Sequence, residues 1–137
     1  MGMTRIEGWE SRLSTVIEDA RTDPYVLGKH DCFSVAMGAV RALTGVDLWS
    51  KFARRYSTKR EALRLIAQHG PSFDTAADSY LGISSSSISL ARRGDICKYF
   101  DSEAHLGVCT GAHVAVLKEN GLLFVPLKDC LCCWRIG

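Results

Sequence analysis

The hydrophobic pattern of this chain changes period once, near residue 95, and any fold it adopts must satisfy both halves. Up to about residue 81 apolar residues recur every three or four positions; from Asp95 they come in short runs punctuated by Gly, Asp and Asn. The first pattern is that of amphipathic helices, the second that of strands joined by tight connections. Helices first and strands afterwards predict an α+β fold: N-terminal helices packed on a C-terminal antiparallel sheet of about five strands. At 137 residues the chain holds one core of ordinary size, so residues 1–137 read as a single domain.

Trp9, Leu13, Val16, Ile17 and Ala20 predict a helix over residues 7–21, which "RTDPYVLGKH" breaks with Pro24 and Gly28. A second helix begins at Asp31 or Cys32 and carries Val35, Ala36, Ala39, Val40 and Leu43 on one face. Asp31 is its N-cap, because a carboxylate there accepts orphan amide protons, and Gly45 is its stop. Thr58 followed by Glu61 is a capping box for a third helix that Gly70 ends, and residues 72–81 add a short helical turn. The serine-rich "GISSSSISLARRG" is a surface connection. The strand candidates are "DICKYF", "HLGVCTG", "HVAVLKE", "LLFVPL" and "CLCCWRI".

A net charge of +2 and scattered basic clusters ("FARRY", "TKREALR", "ARRG") argue against nucleic acid as a partner. No apolar run is long enough to span a membrane, and "MGMTRIEGWESRL" lacks the apolar centre of a signal peptide. Gly2 with Thr4 does not fit the myristoylation pattern. The expectation is therefore synthesis in a cytosol, with the six cysteines reduced. "DCLCCW" lacks C-x-x-C spacing, so buried apolar thiols are expected in place of a metal site. On an extended strand Cys130 and Cys132 would share one face and Cys133 the other.

"GKHDCFS" carries the chemistry. A cysteine nucleophile attacks as thiolate, and a helix N-terminus supplies amide protons and a dipole that favour negative sulfur. Cys32 stands at such a terminus and should be the most reactive of the six thiols, since the other five fall in strands where burial raises the thiol pKa. Asp31 opposes the effect, so an imidazole is still needed. His69, at the end of the third helix, suits the C-terminal dipole and is set aside. His30 lies two residues from Cys32 and is the rival base. His105 opens "HLGVCTG" and shares a face with Gly107 and Cys109, where the glycine leaves room for a helix terminus to approach. Leu106 and Val108 point the other way, toward the core. Residue pattern alone leaves all four histidines open to a purely structural role.

"PYVLGKHDCFS", "RRGD", "HLGVCTG" and the closing "CCWRIG", in that order, give the chain a resemblance over residues 24 to about 136. It resembles the NlpC-type cell-wall cysteine peptidases, a compact branch of the papain-like fold. Within them it resembles the small NlpC-like proteins encoded among bacteriophage and prophage tail genes. The resemblance implies Cys32 as nucleophile, His105 as general base and Tyr25 as part of the oxyanion region. It also implies a polar residue orienting the imidazole from the strand after "HLGVCTG", and His113 is the polar side chain there. No cofactor or metal is implied. The expected substrate is a bacterial cell-wall peptide, with other phage tail proteins as further partners, synthesis in a bacterial cytoplasm and incorporation in a virion tail. Phe33-Ser34 after the cysteine, and the short loop from Tyr25 to Cys32, depart from the family's pattern. They leave open a second outcome, a tail or tail-tip assembly component that keeps the fold without efficient chemistry.

Overall fold

The structure, a computed structural model, describes residues 3–137; Gly2, on which the lipidation reading turns, lies outside the described residues. Four α-helices precede five strands. Helix α1 (Trp9–Thr22) buries Leu13, Ile17 and Ala20, the stripe its spacing sets up. Helix α2 (Cys32–Thr44) buries Val35, Ala36, Met37, Ala39, Val40, Ala42 and Leu43, so it is apolar nearly all round and runs through the core. Gly45 stops it at φ 77°, ψ −2° with its amide on the Arg41 carbonyl. Helix α3 (Lys59–His69) buries no residue fully, whereas α4 (Phe73–Leu81) buries Ala76, Ala77 and Leu81 behind a Ser72–Thr75 capping box. At α3, Thr58 Oγ1 accepts from the Glu61 amide as expected, but Glu61 reaches back to the Ser57 amide, one residue earlier than the motif requires.

The strands β1 (Ile96–Phe100), β2 (Ala104–Cys109), β3 (His113–Lys118), β4 (Gly121–Pro126) and β5 (Cys132–Trp134) form one antiparallel sheet in the order β4-β3-β2-β1-β5. Leu106 and Val108 face the helices with Ile96, Ala115, Leu117 and the wholly buried Trp134, whose Nε1–H donates to Asp78 at 2.7 Å. The opposite face carries a smaller cluster of Cys97, Cys109, Val114, Val116, Val125, Cys130 and Cys133. Two expectations are corrected here. Cys130 shares its side with Cys133 and not with Cys132, because a helical turn at Leu127–Asp129 precedes β5 and the alternation starts only at Cys132. The space at Gly107 is taken by Val114 and Val116 of β3, not by a helix terminus.

Both ends of the described chain meet at Asp95, which is 1% exposed. Its carboxylate accepts from the Ile136 amide at 3.0 Å, the Arg92 amide at 2.8 Å and the Arg5 guanidinium at 3.1 Å. Arg5 Nε donates in turn to the Ile136 carbonyl at 2.9 Å.

Gly28 fixes how the loop enters α2. Its φ is 87°, and a Cβ there would run into the Tyr56 carbonyl. Gly28→Ala is expected to cost about 3 kcal/mol, left-handed strain plus a backbone clash. Thermal unfolding checks this; a melting temperature within about 3 °C of the parent would contradict it.

Candidate active site

Asp31 organises the mouth of α2. Oδ1 accepts from the Ser34 amide at 2.8 Å while Ser34 Oγ accepts from the Asp31 amide at 2.9 Å, a closed capping box. Oδ2 accepts from the Gly28 amide at 2.8 Å and the Tyr56 hydroxyl at 2.6 Å. A carboxylate 2% exposed is thus fully engaged, and it ties the incoming loop and Tyr56 to the first turn. The Tyr56 phenol is pushed far above its ordinary range, by burial first and the Asp31 charge next.

Cys32 follows directly, half-buried, and packs against the thiol-bearing cluster of the sheet. Its thiol is pushed up to about 12, by burial first, against the hydrogen bond of the Leu106 amide, with the charges of Asp31 and Glu103 adding to the rise. The expected lowering at a helix terminus is therefore corrected: amide donors do favour the thiolate, but desolvation outweighs them. The Leu106 donor has a clear origin. Cys109 donates to Asp95 on the β1 side and Thr110 to His113 on the β3 side, so even-numbered amides of β2 face β3. Pairing of β2 with β3 comprises Val108↔Ala115 and Cys109↔Val114 and ends there. The Leu106 amide lies beyond the last pair, on the side where it acts on the Cys32 thiol in favour of the thiolate. Burial raises two of the other thiols as expected, Cys132 to about 11 and Cys133 with it, and Cys97 is raised as well. Cys109 is lowered to about 7 and Cys130 is also lowered, each by its hydrogen bond with Cys97, which corrects the expectation that burial raises all five. Cys97 is held neutral chiefly by hydrogen bonds with Cys109 and Cys130.

His105 is 8% exposed and stacks on Tyr99 across the β1–β2 ladder, ring centroids 6.3 Å apart. Its Nε2 is 3.0 Å from Asp101 Oδ1. A carboxylate only accepts, so Nε2 carries the hydrogen in the neutral ring and Nδ1 keeps its lone pair. Asp101 is held well below the usual carboxylate range by the Lys118 ammonium, and by amides of its own turn. The structure thus sets Asp101, not His113, on the imidazole. His113 opens β3 beside the far end of β2, five residues along from His105's end and roughly 17 Å away at about 3.3 Å per residue. It is exposed there. His30, the rival base, has Nδ1 3.3 Å from the Pro24 carbonyl and Nε2 3.8 Å from Asp23; its own loop occupies it.

Cys32, His105, Tyr25, Asp31 and Tyr56 line one cavity of about 640 Å³ between α2, α3, α4 and the sheet. Tyr25 is raised to about 12, by burial first and the Asp31 and Cys32 charges next, so its hydroxyl stays a proton donor at neutral pH. Phe33, the residue after Cys32, makes edge contacts with Phe52 at 4.9 Å, Tyr80 at 5.8 Å and Trp49 at 5.9 Å. His69, set aside on sequence, joins the same wall, 5.2 Å from the Phe52 ring, with Nδ1 3.0 Å from the Leu65 carbonyl. Lys59 and Glu103 pair at 2.8 Å on the rim, joining α3 to the β1–β2 hairpin.

The sequence does carry a signal for Asp101: "YFDSEAHL" is a hairpin with a short polar loop, and an Asp at its start lies beside the residue that opens the return strand. Tyr56 and His69 had none, since long-range packing alone brings them here. Among the described residues no group of three or more His, Cys, Asp or Glu side chains is placed to hold a metal ion, and no helix is long and apolar enough to cross a membrane. Comparison with curated proteins finds no match. Residues 4–136 match the family model described as "Domain of unknown function (DUF6950)", and the chain belongs to that family.

Proposed function

We propose that this protein is a cysteine hydrolase, a peptidase or amidase of papain-like NlpC type, acting on bacterial cell-wall peptides in the setting of a phage tail. One observation carries the chemical part of this reading: Cys32 and His105 line the same cavity, and Asp101 holds His105 by Nε2. That leaves Nδ1 to take a proton. The substrate and setting rest on the sequence resemblance. In this reading His105 Nδ1 accepts the Cys32 proton as the sulfur attacks the scissile carbonyl carbon. Amides at the start of α2, with the Tyr25 hydroxyl, hold the oxyanion. Collapse breaks the C–N bond, and the amine leaves with the proton from His105. Water, deprotonated by the same nitrogen, then hydrolyses the thioester and frees Cys32. A thiol held near 12 means that the proton moves during attack, without a standing thiolate–imidazolium pair.

That same high value favours a second reading, a tail or tail-tip assembly component of the same fold with weak or lost catalysis. Among the described residues no hydrogen bond joins Cys32 to His105, which points the same way. Incubation with solubilised cell-wall peptides, reading new amino groups, decides between them. The hydrolase reading expects turnover that falls by about a thousandfold in Cys32→Ala and by roughly 10²–10⁴ in His105→Ala. Turnover that survives Cys32→Ala removes it, and a wild-type protein with no turnover leaves the assembly reading.

A further inference from the structure

We propose that the cavity beside Cys32 seats an uncharged, apolar acyl group of the substrate, aliphatic or aromatic, leaving charged parts of the molecule at the rim. This deepens the hydrolase reading and rests on Cys32 being the thiol that meets the scissile carbonyl. The wall next to that thiol is built of Phe33, Phe52, Tyr80 and Ile66. The Phe33, Phe52 and Tyr80 rings pack edge-on or tilted at 4.9–5.8 Å, a continuous apolar surface. At about 640 Å³ the space is that of an ordinary small-ligand site.

Charge is distributed to the same effect. The buried Asp31 carboxylate has its partners in Gly28, Ser34 and Tyr56 and offers nothing to a ligand. Lys59 is paired with Glu103, and Lys118 with Asp101, all on the hairpin side of the opening. A carboxylate or ammonium carried into the aromatic end would lose its hydration and meet only the His69 imidazole, whose Nδ1 is already on the Leu65 carbonyl, and no lysine, arginine or carboxylate. A hydrocarbon chain gains from the same transfer. Edge-on rings with no free charge between them are what an acyl chain or a phenyl group fills.

The test uses a matched pair of amides, octanamide and suberic acid monoamide, of equal chain length and differing in a terminal carboxylate. Each is measured as protection of Cys32 in the full-length protein against iodoacetamide, by mass-spectrometric mapping. Octanamide is expected to slow labelling of Cys32 at least tenfold at saturation, with the monoamide giving less than a twofold effect at the same concentration. Ile66→Asp, on a helix that buries no residue fully, is expected to remove the octanamide protection while the protein stays folded by circular dichroism. Equal or better protection by the monoamide, no protection by octanamide, or protection unchanged in a folded Ile66→Asp protein each overturns the inference. Turnover of 4-methylumbelliferyl octanoate is read separately: protection without Cys32-dependent turnover upholds this inference and counts against the hydrolase reading.

Discussion

Replacing Asp31 by alanine is expected to destabilise the protein by about 4 kcal/mol and to lower its melting temperature by roughly 14 °C. The N-cap accounts for about 1 kcal/mol. The Gly28 amide and the buried Tyr56 hydroxyl lose their acceptor together, at about 1–3 kcal/mol each. Asp31→Asn keeps one amide-accepting oxygen and should recover part of the loss; Tyr56→Phe removes only one donor and should cost about 1 kcal/mol. The same substitution bears on chemistry, since the Asp31 charge helps to raise the Cys32 thiol. The fraction that remains folded in Asp31→Ala should therefore alkylate faster at neutral pH than wild type. A melting temperature within about 3 °C of wild type would show that the carboxylate does not hold the loop as described.

The largest kinetic effect concerns Cys32 itself. Only the thiolate reacts, so its alkylation should rise tenfold per pH unit and about a thousandfold from pH 7 to pH 10, with no plateau below the value of about 12. Cys32 should still label first, even against the lowered Cys109 and Cys130 thiols, because all five others are buried in the sheet and its margins and out of the reagent's reach. Glu103→Gln removes a charge that holds the thiol up and should speed labelling at each pH, with the slope retained. A plateau setting in near pH 7 would mean that the helix terminus or His105 holds a standing thiolate, against the balance of burial and charge described above.

Much of this frame can be read from local chemistry. Asp31 as N-cap, Gly45 as stop and the opposed faces of Leu106 and His105 follow from rules that act over four residues or fewer. What needed the structure depends on distant packing. No periodicity shows that Tyr56, 25 residues on, delivers its hydroxyl to Asp31. Nothing in "AQHG" tells that His69 lies on a ring wall with Phe52 and Tyr80 and not in solvent at a helix end. The expectation for His113 failed because it read chain order as proximity. An antiparallel hairpin puts the start of β3 beside the end of β2, while the turn before β2 supplies the residue that touches His105. The thiol's ionisation escapes the sequence for a different reason: dipole and amides are visible there, and the depth of the wall around the sulfur is not.

The clasp at Asp95 makes the chain nearly a ring. Residues 5 and 136, 131 positions apart, are joined through one guanidinium, and β5 lies against β1 to close the circuit. Tension applied along the two ends would therefore pass into that short ring of hydrogen bonds, leaving the β1–β2 hairpin and the mouth of α2 unloaded. A tether fixed at both ends could hold this molecule under strain without stretching its cavity.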